Sequence, residues 1–144
     1  MKYIFEEIES FILFFISNFP GRSGIYLRQV FYKVLVSKIG NNFYTEKGII
    51  LSGYKNIILG KNVRLMRYTS INADDGKIQI GNNISINYNV NVNASGKGEI
   101  YIGDNVLIGQ NTVLRAADHK YEKDKITYGN NHINGKIVIG NNVW

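Results

Sequence analysis

The hydrophobic residues of this chain follow two different spacings, and the change falls near residue 49. Up to that point, apolar side chains recur at the three- and four-residue intervals of an amphipathic helix. Beyond it they recur every six residues, which suits short strands separated by corners and stacked so that neighbouring units share one core. The pattern predicts an α-helical N-terminal region at residues 1–48 and a mainly β domain at residues 49–144.

Two helices are expected in the N-terminal region. Residues 3–19 carry apolar side chains around an unusually wide face, and Pro20 ends the segment. The second helix spans about residues 24–37 and has basic residues on its polar side. The wide apolar face of the first helix suits burial against the rest of the protein or a second subunit, and it also suits a shallow seat at a membrane interface. The longest uninterrupted apolar run, residues 11–16, is far shorter than the roughly 20 residues that span a bilayer.

The six-residue period predicts a triangular prism. An aliphatic residue marks each hexad, and extra residues enter only after every third mark, so that three hexads make one coil. The insertions then stack on one corner of the prism. The marks that follow this rule are Leu59, Leu65, Ile71, Ile80, Ile86, Val92, Ile102, Ile108 and Leu114.

A short phrase of the form aliphatic-Gly-x-Asn-aliphatic recurs along the repeat. Its copies begin at Leu59, Ile80, Ile102 and Ile139. Because Gly and Asn both tolerate positive φ, these phrases are expected at tight corners and not in a phosphate-binding loop. After the third copy, the hexad that ends at His119 is followed by residues 120–138, which break the rhythm. They predict a long loop at the corner that receives the other insertions.

Composition removes several kinds of chemistry. The 144 residues include no cysteine, which excludes disulfides, thiolate metal sites and cysteine nucleophiles. The two histidines are too few for a three-histidine zinc site, so no metal is expected. The formal net charge of +6 comes from scattered Lys and Arg with no dense run, and no nucleic-acid partner is expected. No secretory signal is evident at the N-terminus, which predicts a cytoplasmic protein.

The stretch Ile-Gly-Asp-Asn-Val-Leu-Ile-Gly-Gln-Asn-Thr-Val at residues 102–113 resembles the hexapeptide-repeat acyltransferases. The hexad end at Ala117-Asp118-His119, the long loop after it and the return through residues 135–144 are most similar to galactoside and maltose O-acetyltransferases and to related enzymes of bacterial surface-polysaccharide synthesis. The resemblance implies a left-handed parallel β-helix with three hexads per coil. It also implies a homotrimer with active sites in the clefts between neighbouring prisms.

The same resemblance implies a reaction. A His at the position of His119 acts in those enzymes as the general base that takes the proton of an acceptor hydroxyl, which then attacks the thioester of acetyl-CoA. Imidazole suits this role because free histidine has a pKa of about 6.5, which leaves a neutral base at cytoplasmic pH. The implied function is O-acetyl transfer to a sugar hydroxyl in the synthesis of O-antigen, capsule or exopolysaccharide. Asp118 is expected to help to orient the ring or the acceptor.

The resembled enzymes also use an Asn one coil before the base to hold the acceptor sugar. The hexad register selects Asn87 for this role, whereas counting back without gaps selects Asn89. In a chain so rich in Asn, both residues have the alternative role of positive-φ corners. His132 lies inside the long loop and is expected to be a solvated loop residue.

The chain ends at Trp144, within a hexad, whereas the resembled enzymes continue for several coils that supply most of the CoA groove. The sequence therefore suggests a truncated form of a longer enzyme, with Trp144 as a candidate for contact with the cofactor. Three alternatives stay open: a truncated non-catalytic β-helix that acts only in assembly or binding, a serine O-acetyltransferase, and an amino-sugar N-acyltransferase. The apolar helix at residues 3–19 adds a peripheral seat at the inner face of the membrane as an alternative to a freely cytoplasmic location.

Overall fold

The computed structural model describes residues 2–121, 123 and 132–144. Two N-terminal helices lead into a solenoid of about four turns, built from three parallel β-sheets. Each complete turn contributes one strand to each sheet, so that the domain is a three-sided prism with the hydrophobic core inside. The predicted fold class, a mainly β parallel solenoid after a helical region, is confirmed.

The helices match the two that the periodicity predicts. Helix α1 spans Lys2–Asn18 and helix α2 spans Gly21–Leu35. Pro20 precedes α2 in an extended conformation, and its carbonyl accepts a hydrogen bond from Gly24 N at 3.2 Å. Because proline has no amide hydrogen to lose and disfavours a helical residue before it, this one residue ends α1 and starts α2. Helix α2 therefore begins before residue 24, the predicted start.

The C-terminal end of α1 is fixed to the solenoid. Ser17 Oγ donates to Ile49 O at 2.7 Å, and Gly48 N donates to Ser17 O at 2.8 Å. Apolar side chains nearer the N-terminus of α1 are exposed, among them Phe11 and Phe14. Within the part of the chain that the structure describes, neither helix is long and apolar enough to cross a membrane.

The strands follow in chain order, three to a coil. They are β1 (Lys38–Ile39), β2 (Tyr44–Thr45) and β3 (Ile50–Ser52) in the first coil; β4 (Ile57–Leu59), β5 (Val63–Leu65) and β6 (Ser70–Asn72) in the second; β7 (Lys77–Ile80), β8 (Ile84–Ile86) and β9 (Asn91–Asn93) in the third; and β10 (Glu99–Ile102), β11 (Val106–Ile108) and β12 (Val113–Arg115) in the fourth. A separate pair, β13 (Ala117–His119) and β14 (His132–Asn134), precedes β15 (Lys136–Ile139). The first sheet contains β1, β4, β7, β10 and β15, the second β2, β5, β8 and β11, and the third β3, β6, β9 and β12.

The aliphatic marks of the hexads form the core of the prism. Successive coils align them in register, as in the column of Leu65, Ile86 and Ile108. Eight of the nine predicted marks are buried, and the ninth, Leu114, is half-buried and packs against the core. Helix α2 covers the first end of the core with the buried ring of Tyr32. Stacking thus gives each short strand a continuous interior that it could not bury alone.

The solenoid begins earlier than the predicted boundary at residue 49. Strand β1 already pairs with β4, with Ile39 opposite Leu59. A fifth copy of the corner phrase, at residues 39–43, opens this coil. Its Gly-Asn pair also suits the end of a helix, so the phrase does not by itself mark the start of a coil. Phe43 stands where the other copies end in an aliphatic residue, and it is buried like Val63, Ile84 and Val106, so an aromatic ring fills this core position.

A ladder of asparagines holds the corner between the first and second sheets. The second Asn or only Asn of each corner phrase has a left-handed φ between 56° and 59°. In the first four phrases, its Nδ2 donates to Oδ1 of the asparagine one coil later. The members are Asn42, Asn62, Asn83, Asn105 and Asn142, joined by N···O distances of 2.9, 2.7, 2.9 and 3.0 Å. Asn tolerates this φ better than most residues, and its amide can donate and accept at once. The repeated phrase is therefore a structural corner, as its composition predicts.

Candidate active site

A β-hairpin projects from the corner between the third and first sheets. After β12, the buried Ala116 leads into β13, which pairs antiparallel with β14 before β15 resumes the solenoid. Gly135 closes the neck of this hairpin, because its amide donates to Ala116 O at 2.6 Å and its carbonyl accepts from Glu99 N at 3.0 Å. The corner insertion thus leaves the prism and returns at one point.

The hairpin corrects the extent of the predicted loop at residues 120–138. Most of residues 132–138 belong to β14 and β15, since backbone pairing continues on both sides of Gly135. The middle of the predicted loop, residues 124–131, lies outside the described residues.

His119 and His132 lie directly opposite each other in the hairpin. Their ring centroids are 4.7 Å apart and their ring planes are inclined by 37°. His119 is exposed, whereas His132 is half-buried. The expectation that His132 is a solvated loop residue is wrong, because a strand carries it and its ring packs against His119.

The ring of His132 rests on a turn of the preceding coil. Gly96 in that turn has a φ of +70°, and a Cβ at this position would lie 3.3 Å from Cγ of His132. Glycine therefore allows both the left-handed backbone and the close approach of the ring. The surface against which His132 packs therefore belongs to the solenoid and not to the projecting hairpin.

Asp118 contacts the main chain of its neighbour. Its Oδ1 accepts a hydrogen bond from the amide of His119 at 2.8 Å. In the hairpin register Asp118 faces Ile133, and side chains of adjacent strand residues start on opposite faces. The carboxylate thus stabilises the backbone that carries His119, and its expected part in orienting the ring or the acceptor stays a prediction.

A groove of about 380 Å³ lies beside the neck of the hairpin. Its lining combines small or aliphatic side chains with charged ones, namely Arg115, Ala116, Ala117, Asp118, Ile133, Lys136 and Ile137. Arg115 Nε donates to Ala117 O at 3.0 Å, while Lys136 Nζ lies 3.7 Å from Glu99 Oε2 and 4.7 Å from the centroid of the Tyr101 ring. The two cations outnumber the single carboxylate of Asp118 in this lining, which suits a ligand that has a small apolar group and an anionic part.

Asn87 and Asn89 lie on a different corner, between the second and third sheets. Asn87 Oδ1 accepts a local hydrogen bond from Tyr88 N at 2.8 Å. Asn89 has a φ of 54°, and its Nδ2 donates to Asn111 Oδ1 at 2.9 Å, which makes it part of a second asparagine ladder. A single chain therefore does not bring either residue together with His119.

Trp144 also lies away from the hairpin. It follows the asparagine-ladder corner after β15, and it is 96% exposed. Its expected contact with the cofactor stays a prediction.

The hexad pattern does not identify three residues of the hairpin region as part of the site: Arg115, His132 and Lys136. A signal for His132 was available, because an insertion that leaves and re-enters a prism at one corner must bring its two ends together. The alternation His132-Ile133-Asn134 just before Gly135 indicates a returning strand.

No family model matches the sequence, and no curated protein matches it either. Solved structures do match, and two of them are variants of AntD, an N-acyltransferase from Bacillus cereus. The complex with dTDP and coenzyme A has a TM-score of 0.64 at 20% identity, and the complex with dTDP-4-amino-4,6-dideoxyglucose and coenzyme A has a TM-score of 0.62 at 19% identity. This chain has the AntD fold. Both matches cover 79% of this chain and 62% of the AntD chain, so the chain spans less than two thirds of the length of that protein.

Proposed function

We propose that this chain is a sugar acyltransferase that uses acetyl-CoA as acyl donor. Its acceptor is a sugar hydroxyl in a surface polysaccharide such as O-antigen, capsule or exopolysaccharide. The observation that carries the proposal is the exposed imidazole of His119, paired with His132 on one face of the hairpin. Asp118 and Ile133 line the groove at the hairpin neck from the other face. The AntD fold supports it, because AntD is an N-acyltransferase whose complexes contain coenzyme A and a dTDP-linked amino sugar.

His119 acts as the general base of this reaction. Its neutral imidazole takes the proton of the acceptor hydroxyl while the oxygen attacks the carbonyl carbon of the thioester. The new C–O bond forms, the C–S bond breaks, and the leaving thiolate takes the proton from the imidazolium, which restores the base. The transfer is direct, in keeping with a chain that has no cysteine for a thioester intermediate.

The groove at the hairpin neck has the properties that the acyl donor requires. Ala116 and Ala117 leave room for a small acyl group, and Arg115 and Lys136 offer positive charge to the phosphates of the donor. The ammonium of Lys136 is held near Glu99 Oε2, so it is partly positioned before a ligand arrives. These features favour a donor that combines a short acyl thioester with phosphate groups.

A homotrimer would complete the acceptor site. Asn87 or Asn89 can approach His119 only across a subunit interface, since they lie on different corners of one prism. Leu107 and Val113 flank the corner of the two asparagines and are 50% and 66% exposed, which supplies an apolar surface for such a contact. The proposed assembly packs this corner against the hairpin corner of the next protomer.

An amino sugar is the second candidate acceptor. AntD is described with dTDP-4-amino-4,6-dideoxyglucose, whose nucleophile is an amine. A hydroxyl must lose its proton during attack, whereas a neutral amine attacks without a base, so His119 matters most for a hydroxyl acceptor. Removal of the imidazole therefore discriminates between the two acceptors.

We propose that helix α1 holds the protein at the inner face of the cytoplasmic membrane. Its exposed side chains include Ile4, Phe11 and Phe14, which are 61%, 71% and 69% exposed. Apolar rings on an amphipathic helix are suited to the boundary between headgroups and acyl chains. The test is flotation with lipid vesicles, in which Phe11→Ser/Phe14→Ser should reduce the floating fraction. Equal flotation of the variant would remove α1 from the membrane proposal.

The proposed reaction is tested by the release of free coenzyme A from acetyl-CoA with a panel of sugars and dTDP-linked amino sugars. Wild-type protein should turn over with a hydroxyl acceptor, and His119→Ala should lower kcat by about 100-fold or more, the usual contribution of a general base. The matched control is Lys61→Ala, an exposed change on the ladder corner. Full activity of His119→Ala would refute the role of the imidazole, and turnover with amino sugars alone would select the second candidate.

A further inference from the structure

We propose that His132 is a positioning residue, which holds the imidazole of His119 in the orientation that general base catalysis requires. The inference rests on the proposed function for its effect on turnover. Its structural content, the contact between the two tilted rings, can be measured without any substrate.

The first support is the hairpin register. His119 and His132 occupy directly opposed positions of β13 and β14, so their side chains leave the hairpin on the same face. The ring centroids are 4.7 Å apart, within the range of attractive contacts between aromatic rings. An exposed His alone would sample several χ1 and χ2 rotamers, and contact with a second ring restricts that choice.

The second support is the seat of His132 on the prism. Its Cγ lies 3.3 Å from the position where a Cβ of Gly96 would be. Gly96 N donates to Asp74 O at 3.3 Å, which ties the turn to the coil before it. The contacts therefore run from the solenoid through Gly96 to His132, and from His132 to His119.

This chain of contacts explains how an imidazole on a projecting hairpin can be held in place. Reaction requires the imidazole nitrogen within hydrogen-bond reach of the acceptor hydroxyl, and a displacement of about 1 Å at such a site can lower the rate by about 100-fold. A ring held against the solenoid supplies that precision, because the coils of the solenoid are hydrogen-bonded to one another and packed on one core. His132 need not exchange a proton to act in this way.

Three variants test the proposal: His132→Ala, His132→Phe and Gly96→Ala. The alanine at 132 removes the ring that contacts His119, and the phenylalanine restores a flat ring without nitrogen atoms. The alanine at 96 shifts the ring of His132 by a few tenths of an ångström and strains the left-handed turn beneath it. We expect His132→Ala to lower kcat by about 10- to 100-fold with KM for acetyl-CoA within twofold. His132→Phe should recover most of kcat, and Gly96→Ala should fall between the two.

Proton NMR of the ring signals of His119 provides the readout that is independent of activity. The ring current of His132 should shift these signals, the shift should be lost in His132→Ala, and it should persist in His132→Phe. Unchanged His119 signals in His132→Ala, or a His132→Phe enzyme as slow as His132→Ala, would overturn the positioning role. If the wild type turns over with no sugar, the proposed function fails while the NMR comparison still decides whether His132 orients His119.

Discussion

The guanidinium of Arg28 in α2 donates a hydrogen bond to the carbonyl oxygen of Phe19, just beyond the end of α1, at 2.8 Å. The same side chain donates to Ile16 O at 3.3 Å and to Thr45 O, in the first coil, at 3.4 Å. Arg28 is 2% exposed, and its burial lowers the pKa of the guanidinium. One buried cation therefore joins α1, α2 and the solenoid through main-chain carbonyls.

Replacement of Arg28 is expected to loosen that junction. Arg28→Met keeps much of the apolar stem but leaves buried carbonyls without a donor, which should lower the free energy of unfolding by about 3 kcal/mol. Urea denaturation measures the loss. Arg22→Met is the matched control, because Arg22 is exposed on the same helix and its removal should cost less than about 0.5 kcal/mol. Similar losses for both variants would show that the buried hydrogen bonds of Arg28 add no stability beyond that of an exposed arginine.

A second prediction concerns Asn83, a member of the asparagine ladder. This residue has a φ of 57°, accepts from Asn62 Nδ2 at 2.7 Å and donates to Asn105 Oδ1 at 2.9 Å. Asn83→Ala loses both bonds and keeps a Cβ in the left-handed region without the amide that lets asparagine tolerate it, whereas Asn83→Gly loses the bonds but also removes the Cβ. Chemical denaturation should find the alanine variant less stable than the glycine variant by about 1 kcal/mol. Equal stability of the two variants would mean that the corner stores no backbone strain at this position.

The prism could be predicted from the sequence because its core repeats every six residues. Leu65, Ile86 and Ile108 stand in one column, and the same spacing that reveals them in the sequence stacks them in the fold. The six-residue pattern did not reveal the first coil, and the reason lies in two features of its sequence. Phe43 fills a core position normally held by an aliphatic residue, and the preceding Gly-Asn pair also suits a helix end.

The site could be predicted only in part. His119 is marked by the end of a hexad and the insertion after it, but the hexad pattern says nothing about pairing within the insertion. The contact with His132 depends on antiparallel register, and the space for its ring depends on Gly96 a coil earlier. Neither relationship follows from a six-residue period.

The buried hydroxyl of Tyr32 leads us to predict that the stability of the fold decreases at alkaline pH. Its hydroxyl donates to Ile49 O at 3.2 Å, and burial raises its pKa well above the usual value of about 10. The folded state therefore retains this proton more strongly than the unfolded state does. The resulting stability is fully present below about pH 10 and is lost as the pH rises through the range between the unfolded and folded pKa values.

Tyr32→Phe should separate this contribution from the rest of the fold. The variant loses the hydrogen bond, at a cost of about 1 kcal/mol near neutral pH, but it also loses the ionisation. Between about pH 8 and about pH 11, the urea midpoint should fall less for the variant than for the wild type. Tyr26→Phe, an exposed change on the same helix, should keep the wild-type slope. Parallel slopes for wild type and Tyr32→Phe would assign the alkaline response to other groups.

Leu107 offers a test of the proposed trimer that leaves the catalytic groups in place. It is 50% exposed on the second sheet, beside the corner of Asn87 and Asn89, and its outward position means that a charge there need not disturb the core. Leu107→Asp should place three carboxylates at the proposed subunit contacts, where desolvation opposes burial of charge. Sedimentation velocity should then find a monomer, and the release of coenzyme A should fall with it, because the asparagines of one protomer would no longer approach His119 of the next. Lys61→Asp, an exposed change on the asparagine-ladder corner away from both proposed contacts, should remain trimeric and active, whereas a trimeric Leu107→Asp would place the subunit contact on another face.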